Sequence, residues 1–541
     1  MPAPFSLLLG AYGLAWKVAI PLLRRRTRLK DGFAERLVPA EWPLRPSSLA
    51  KPSDHADEGV LRLWLQAASG GEAWLLHSLV PALLRELDAM PLPAARRIEL
   101  LCTSCTRQGL DILEKIPPRL LRRKNSGCTA RLLARYLPLD EPGLMRRAMR
   151  QAAPSALILL ETELWPGLLA AAREERVPVH IINGRMTEKS RKAYRLLGRF
   201  LPEHAPEQIL AVSEADAGRF ASVFGAAGAV SIMPNIKFDR MAEDMRRCEE
   251  EGGMPLADKV ARDATPGTGQ PPLRVSAPGG ADACALTGLA DPALLAVFAS
   301  VRKEEEELLL PVIRSLYTRA KPDVPLAIAI APRHMHRVAF WRQKLRQAGL
   351  PCSLRSSMGA GQDPVGACPA IVLWDSFGEL RQLYAAADVA FVGGSLAPLG
   401  GQNFLEALAQ GGIPLVGPHL KNFLWVGEDL FTSGLVIRVR DSEELLARMG
   451  AALERRGAVL ASMAESRRNL ERSGTGPTAP ARTLEQESWA ASRADLAAQV
   501  QKRFADWLAP RTGGSATAAR AIARSLALFS GSGYEERHGS P

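Results

Sequence analysis

The chain of 541 residues has 69 Lys and Arg against 57 Asp and Glu, which gives it a net charge of +12. Its 47% hydrophobic and 23% charged residues are typical of a folded globular protein and exclude a disordered or fibrous one. This length exceeds what one hydrophobic core can organise, so it predicts two domains with appendages. The basic surplus is compatible with nucleic acid, anionic lipid, an acidic substrate or a merely solvated surface, so its position along the chain must distinguish them.

The amino terminus has an apolar run followed by basic residues. Residues 4–16 are apolar, and after Lys17 a second apolar run, VAIPLL, leads into RRRTRLK. This order is wrong for a cleaved signal peptide, and the run is marginal for a span of about 20 residues. Residues 1–30 are therefore predicted to be a membrane anchor, either a tilted span or an interfacial helix, with its basic flank on the cytoplasmic side. The alternative is an amphipathic helix that packs on the body of the protein.

Further along, short apolar runs alternate with segments of helical periodicity, first over 31–240 and again over 293–471. The runs in the first half are 61–67, 97–104, 155–161, 177–184 and 208–213. Those in the second half are 294–300, 326–333, 370–375, 389–395, 413–418 and 435–439. This alternation predicts two Rossmann-like α/β domains, each with a parallel sheet covered on both faces. A ligand cleft is expected at the carboxyl ends of both sheets.

Two segments fall outside this pattern. Residues 241–292 are rich in Pro, Gly, Ala and Asp and are predicted to be a linker with a loosely structured insertion. Residues 472–541 are predicted to be a loop and a helical tail. Seven scattered cysteines, with one lone CxxC at Cys102 and Cys105, predict no metal site and fit a reducing compartment. Neither half begins with GxGxxG, so no dinucleotide cofactor is predicted.

Charged residues follow the apolar runs of the first half. Glu72 follows two glycines at a helix start, where it could act as a general base or as an ordinary acid of the first turn. Glu161 and Glu163 end a very apolar run, which is costly unless they bind something; the alternative is that they cap the helix begun by Pro166. Lys237 follows the last run, where its ammonium could stabilise an anionic donor or lie in solvent.

The second half has several segments that together predict a nucleotide pocket. Gly-rich turns that open a helix bind phosphate through backbone N–H groups, an arginine adds a charge-assisted contact, and carboxylates can accept ribose hydroxyls. The candidates are Arg333, His334, Gly378, Glu379, Gly393, Gly394, Gly400, Gly401, Asn403 and Glu406.

The order and spacing of these motifs resemble those of the 3-deoxy-D-manno-octulosonic acid (Kdo) transferases, which build the inner core of lipopolysaccharide in Gram-negative bacteria. The similarity covers residues 5–470 except 241–292. The most specific segments are ETELWP (161–166), IKFD (236–239), APRH (331–334), FGEL (377–380) and FVGGSLAPLGGQNFLEALAQGGIPLVGPH (391–419).

This resemblance implies a GT-B fold, in which two Rossmann-like domains face a cleft, with an amino-terminal membrane-anchor helix at the cytoplasmic face of the inner membrane. It implies CMP-Kdo as donor and a lipid A precursor, lipid IVA, as acceptor, with no metal or cofactor. Glu72 matches the family's general base, and Glu161 and Lys237 match groups that support the transition state. The segments that match the family's CMP-binding residues are Pro332, Arg333, Phe377, Gly378, Glu379, Asn403, Phe404, Leu405 and Glu406.

The chain differs from the family pattern in three places. It reads SVRKEEEE at 300–307, Gln66-Ala67 before the base, and Gln402 beside Asn403. These differences bear on substrate preference rather than on reaction type.

The expected reaction is direct displacement of CMP by an acceptor hydroxyl. A different GT-B enzyme with a UDP-sugar donor is the nearest alternative. A basic nucleic-acid binder at the membrane surface is a more distant one, because with only 6% aromatic residues the chain lacks the interleaved aromatic and basic side chains of such proteins.

Overall fold

The computed structural model describes residues 4–24, 27–43, 60–89, 97–116, 129–225, 228–252, 293–321, 324–358, 370–472 and 481–532. The chain divides into two compact units. One consists of Met1–Arg240 with Arg511–Pro541, and the other of Met241–Pro510. The tail predicted over 472–541 is therefore divided between the two units.

Each unit is built on a sheet of seven parallel strands. In the first unit these are β1 Val60–Gln66, β2 Arg97–Ser104, β3 Thr129–Tyr136, β4 Ala156–Leu160, β5 Val179–Gly184, β6 Gln208–Ala211 and β7 Val230–Ile232, in the order β3-β2-β1-β4-β5-β6-β7. In the second unit they are β8 Leu294–Val301, β9 Leu326–Pro332, β10 Cys352–Leu354, β11 Ala370–Leu373, β12 Val389–Val392, β13 Pro414–Val416 and β14 Ile437–Arg438, in the order β10-β11-β9-β8-β12-β13-β14. Two parallel α/β sheets are what the alternation of runs predicts.

Helices connect the strands. The first unit contains α1 Pro4–Leu23, α2 Thr27–Lys30, α3 Gly70–Ala89, α4 Arg107–Glu114, α5 Pro142–Ala152, α6 Pro166–Glu174, α7 Glu188–Arg195, α8 Phe200–Glu203 and α9 Glu214–Phe224, and α10 Ile236–Gly252 follows β7. The second contains α11 Glu306–Thr318, α12 Val338–Gln347, α13 Leu380–Ala386, α14 Leu405–Ala409, α15 Asp429–Thr432, α16 Ser442–Arg472 and α17 Ala481–Leu508; α18 Gly514–Ser532 returns to the first unit.

The segment 241–292 differs from its prediction at its start. Helix α10 continues to Gly252, because residues 241–251 contain none of the Pro or Gly that interrupts a helix and are mostly good helix formers. Residues 253–292 lie outside the described part of the chain.

The central strands of the first sheet are buried on both faces, as continuous apolar runs require. Residues Ala156–Leu160 of β4 are fully buried, and β4 pairs with β1 and β5. One face packs against α3, α4 and α18, and the other against α5, α6 and α9. The sheet thus fixes the positions of the residues that follow its strands.

Helix α1 packs on the first unit. The hydroxyl of Tyr12 donates to Oδ2 of Asp140 at 2.8 Å, and Leu9 contacts the core on that side of the sheet. The opposite side of α1 exposes Leu14, Val18 and Leu22. Within the described residues, no helix has the length and apolar character needed to cross a membrane.

Helix α18 is the element of the tail that completes the first unit. Its buried residues, such as Ala519, Ile522 and Leu526, pack against α3. Its start is fixed by Asp239, whose carboxylate accepts hydrogen bonds from the backbone N–H groups of Gly513 (2.6 Å) and Ser515 (2.5 Å). The carboxyl-terminal helix therefore supports both α3 and the first turn of α10.

Replacing Ile522 with Ala is expected to destabilise the protein by about 2–5 kcal/mol, because truncating a fully buried Ile loses its burial and leaves a cavity. Urea denaturation followed by circular dichroism measures this loss. Arg520→Ala, at an exposed position of the same helix, is the matched control. Equal stability of the two variants would contradict the packing of α18 on α3.

Candidate functional site

Charged side chains follow the carboxyl ends of four strands in the first unit. Glu72 lies in the first turn of α3 after β1, Glu161 and Glu163 follow β4, Arg185 follows β5, and Lys237 lies in the first turn of α10 after β7. Parallel strands end at one edge of a sheet, where α/β proteins bind ligands. We call these five residues the acidic cluster.

Glu161 is the centre of this cluster. Its Oε1 lies 2.7 Å from Nζ of Lys237 and 3.6 Å from NH1 of Arg185, and all three side chains are partly exposed. Its backbone is in the left-handed region with φ of 59°, which costs about 1–3 kcal/mol in a residue other than Gly and occurs most often at functional sites. The fold thus holds the carboxylate of a residue with a strained backbone between two cations.

Helix α6, which follows the ETELWP motif, is capped by another residue. Asp140 accepts from the backbone N–H groups of Gly167 (2.9 Å) and Leu168 (2.8 Å), and Pro166 occupies the first turn. Neither Glu161 nor Glu163 caps the helix. The capping alternative for these two carboxylates is therefore wrong: Glu161 forms an ion pair with Lys237, and Glu163 accepts from Nε1 of Trp165.

Glu72 is held by a capping arrangement at the start of α3. Its Oε2 accepts from the backbone N–H of Ala68 at 2.6 Å, and its Oε1 accepts from Oγ of Ser69 at 3.0 Å. Burial raises the pKa of Glu72, the charge of Glu161 raises it further, and the hydrogen bonds from Ala68 and Ser69 oppose the shift. Capping and a raised pKa coexist here: the hydrogen bonds fix the carboxylate in one place, where the charge of Glu161 acts on it.

Glu163 adds a third carboxyl group to the cluster. Burial and then the charge of Glu72 raise its pKa to about 7, while a hydrogen bond from Nε1 of Trp165 at 2.6 Å opposes the shift. A glutamic acid with this pKa is partly protonated near neutral pH. Three neighbouring carboxyl groups thus avoid carrying three full negative charges.

In the second unit, the candidate donor residues also follow the carboxyl ends of strands. Arg333 follows β9 and is exposed, with its Nε donating to Oε1 of Gln402 at 3.1 Å. Glu379 follows β11 and accepts from Ser376 and from NH2 of Arg355. These side chains lie on the edge of the sheet where the sequence predicts a nucleotide.

The other donor candidates differ in exposure. Asn403 and Glu406 are exposed and hydrogen bonded to each other at 2.7 Å. Phe377 is 78% exposed, beside Gly378 with φ of 87°. The side chains of Pro332, Phe404 and Leu405 are buried. These last three position the backbone and are not free to contact a ligand through their side chains.

The turn at Gly393 and Gly394 differs from its sequence interpretation. Instead of remaining open for phosphate, the N–H groups of Gly394, Ser395 and Leu396 donate to the carboxylate of Glu305 at 2.6–2.9 Å. Glu305 is fully buried. A Cβ at Gly393 would come within 2.7 Å of the Ser300 carbonyl, so glycine is required there for close packing.

Sequence reasoning missed two residues of these sites. Arg185 directly follows a buried run, a signal that could have identified it. Glu305 is one acid of the run at 304–307, and nothing in the sequence distinguishes it from its neighbours; only the fold places it against the turn.

Comparison with known proteins identifies the family. Residues 32–240 match the family model described as 3-deoxy-D-manno-octulosonic-acid transferase (kdotransferase). The 3-deoxy-D-manno-octulosonic acid transferase of Bordetella pertussis is 31% identical over 449 residues, which cover 81% of this chain and 89% of that protein. The enzyme of the same name from Haemophilus influenzae is 27% identical, with 63% and 69% covered. A solved C-terminal CMP-Kdo binding domain from Acinetobacter baumannii is 29% identical, covers 30% of this chain and 82% of that domain, and has a TM-score of 0.27. The coverage and identity of the Bordetella relative mean that this chain belongs to the 3-deoxy-D-manno-octulosonic acid transferases, a family of glycosyltransferases.

Proposed function

We propose that this chain is a GT-B enzyme that transfers Kdo from CMP-Kdo to lipid IVA by direct displacement. The observation that carries the proposal is the acidic cluster in a chain of this family: Glu72 is fixed beside Glu161, which is paired with Lys237. In this proposal the first unit deprotonates the acceptor hydroxyl, and the second unit binds the CMP-Kdo donor.

Glu72 is the proposed general base. A hydroxyl of the acceptor gives its proton to the carboxylate of Glu72 as its oxygen bonds to the anomeric carbon of Kdo, and the bond from that carbon to the phosphate of CMP breaks. Burial and Glu161 raise the pKa of Glu72, which makes its carboxylate a stronger base than an exposed one. The hydrogen bonds from Ala68 and Ser69 keep it in position.

Lys237 is the proposed electrostatic partner of the transition state. Negative charge develops as CMP leaves, and a fixed ammonium stabilises it most when it needs no reorganisation. The ion pair with Glu161 at 2.7 Å holds the Lys237 ammonium. The first turn of α10, which carries Lys237, is in turn fixed by Asp239, whose carboxylate accepts from the backbone N–H groups of Gly513 and Ser515 at the start of α18.

The proposal is tested by incubating the purified full chain with CMP-Kdo and tetraacylated lipid IVA, followed by mass spectrometry of the lipid. An increase in mass by one or more Kdo residues is expected. A matched incubation with a UDP-sugar, and competition by CMP and UDP, test the donor. Transfer from the UDP-sugar, or inhibition by UDP at lower concentration than CMP, would reject CMP-Kdo as the donor.

Arg333→Ala and Glu406→Ala are each expected to weaken CMP binding about ten- to a hundredfold, because a charge-assisted hydrogen bond contributes about 1.5–3 kcal/mol. Both side chains are exposed at the carboxyl edge of the second sheet. Calorimetry with CMP measures the change, and Arg381→Ala serves as a control beside Glu379 but outside the proposed donor residues. Wild-type affinity in both variants would move the nucleotide to another site.

We also propose that α1 holds the enzyme at the cytoplasmic face of the inner membrane as an interfacial helix. Its outer side presents Leu14, Val18 and Leu22, each 63–65% exposed, one helical turn apart. Lys17 and Arg24, both exposed, flank this stripe. Apolar residues beside basic ones are the pattern of helices that lie in an anionic membrane surface.

Replacing Leu14 and Val18 together with Glu is expected to release the protein from vesicles that contain anionic lipid. Each buried leucine or valine contributes about 1.5–3 kcal/mol to such binding, so the loss should exceed about a hundredfold. Flotation in high salt measures it. Leu308→Glu, on an exposed side of α11, is the control. Undiminished flotation of the double variant would reject α1 as the anchor.

A further inference from the structure

A cavity of about 330 Å³ lies in the second unit, at the edge opposite the candidate donor residues. Residues at the amino ends of β12 and β13, such as Val389 and Ile413, line it. The donor candidates, by contrast, follow the carboxyl ends of the strands. Its other walls are formed by α16 and α17, the first of which follows β14 and the second of which belongs to the tail. The cavity is therefore separate from the proposed reaction site.

The apolar part of this cavity is substantial. Leu415 and Val500 form its buried wall together with Val389, and Leu496 and Ala497 of α17 line its opening. A volume of this size is at the lower end of those that hold small organic ligands. The space suits a short aliphatic or aromatic body.

The charged part of the cavity has an excess of arginine. Arg448, Arg455, Arg456 and Arg493 line it, and the acid among the lining residues is Asp388. Asp388 is almost fully buried, and two arginines share its carboxylate. Its Oδ1 lies 3.2 Å from Nε of Arg456, and its Oδ2 lies 2.5 Å from NH2 of Arg493. One carboxylate thus faces two mostly buried guanidinium groups, which also lie over the ring of Trp489, so a net positive charge remains.

Arg456 also has an unused donor. Its NH2 nitrogen is buried and has no hydrogen-bond partner among the residues that the structure describes, although Nε and NH1 bond Asp388 and Ser492. A buried donor that stays unpaired costs about 1–3 kcal/mol, and more when the group is charged. Arg448 is paired with Glu444 at the surface, and Arg455 is exposed at the rim.

We propose that this cavity binds a small organic anion with an apolar body, a carboxylate or monophosphate whose head pairs with the arginines and whose tail fills the apolar space. The excess of arginine over acid among the lining residues sets the first requirement, an anionic head. The apolar walls set the second requirement, an apolar body attached to that anionic head. Neither inorganic phosphate nor a neutral aliphatic alcohol satisfies both requirements.

The cavity is connected with the donor residues through two short helices. Helix α13 begins after Glu379 and contains Tyr384, which lines the cavity and is 2% exposed; α14 contains Glu406 and ends before Gln410, which lines it too. These two helices contact each other, and burial and, to a smaller extent, the charge of Glu406 raise the pKa of Tyr384. We therefore expect an occupant of the cavity to change the affinity for CMP.

Calorimetry on the full chain tests the binding with octanoate, octyl phosphate, octanol and inorganic phosphate. We expect saturable binding of octanoate or octyl phosphate at one site, at least about tenfold tighter than that of octanol and of phosphate. The two anions together distinguish a carboxylate from a phosphate ligand. Octanol binding as tightly as both anions, or saturable binding of neither anion at millimolar concentration, would overturn the proposal.

Variants locate the site and test its effect on CMP. The double change R448E/R455E leaves Asp388 and its buried partners intact and is expected to weaken the anion at least about tenfold. R468E, an exposed position of the same helix outside the cavity, should bind like the wild type. A saturating anion should change CMP affinity about fivefold or more. Wild-type binding by R448E/R455E, or unchanged CMP affinity at saturation, would contradict the inference.

Discussion

Replacing Glu72 with Gln is expected to lower the rate of Kdo transfer by about 10²–10⁴, the usual effect of losing a general base. The affinity for CMP should stay near that of the wild type, because Glu72 lies in the first unit and the donor candidates lie in the second. Glutamine keeps one oxygen that can accept from the backbone N–H of Ala68, and its NH2 group can donate to the hydroxyl of Ser69 in place of the second bond. The variant should therefore fold and melt almost normally. Turnover and melting temperature measured on one sample test both statements.

Ser69→Ala is the matched control for this experiment. It removes the hydroxyl that bonds Glu72 and weakens the helix cap by about 0.5–2 kcal/mol, but it leaves the carboxylate. If Glu72 only caps the helix, Ser69→Ala should cost more stability than Glu72→Gln, and neither should lose much turnover. If Glu72 is the base, only Glu72→Gln loses turnover by orders of magnitude. Near-normal turnover in Glu72→Gln would transfer the role to Glu161 or Glu163.

The pH dependence of turnover is a second test of Glu72 as the general base. A general base acts in its ionised form, so turnover should fall as the pH is lowered through the pKa of Glu72. Burial and the charge of Glu161 raise that pKa, so the fall should begin at a higher pH than an exposed carboxylate would give. This acid limb should be lost in the residual activity of Glu72→Gln. If the acid limb persists unchanged in Glu72→Gln, a group other than Glu72 causes it. Glu163, with a pKa of about 7, is the first candidate.

Replacing Lys237 with Met is expected to lower the rate by about 10²–10³, the cost of removing one preorganised group that stabilises transition-state charge. Methionine keeps an unbranched side chain that is one atom shorter and removes the charge. Lys237→Arg should recover part of the rate because it keeps the charge. Lys189→Met, at an exposed position of α7, is the control for loss of one positive charge from the first unit. Turnover is compared for all three variants.

A double variant separates two explanations of that loss. Lys237 forms an ion pair with Glu161 at 2.7 Å, so its removal also leaves a partly buried carboxylate whose remaining cation within 4 Å, among the residues that the structure describes, is Arg185. If neutralising Glu161 were the only role of Lys237, Glu161→Gln combined with Lys237→Met should recover most of the activity. We expect the double variant to remain as slow as the slower single variant. Recovery would reduce Lys237 to a structural partner of Glu161.

The predicted strands match the structure where the strands lie inside a sheet. Runs such as 97–104 and 326–333 coincide with β2 and β9 to within a residue, because strands buried on both faces must be apolar throughout. The three strands absent from the sequence prediction, β3, β7 and β10, all lie at sheet edges. An edge strand has one neighbour and more exposure, so its sequence carries less of the apolar signal. In β3 a buried arginine, Arg135, interrupts the run and donates to the carbonyls of Pro43 and Ala134.

The sequence by itself determined the family, the two parallel sheets and the residues that follow the inner strands, because apolar runs and local motifs are read directly from residue order. Tertiary structure decided which of these residues act together. It paired Glu161 with Lys237, 76 positions later, and placed Glu305 in the turn that the sequence assigned to phosphate. It also returned α18 to the first unit. Such partners are distant in sequence. The order of the strands and the packing of the helices bring them together, and the residues next to each partner in the sequence carry no signal of that contact.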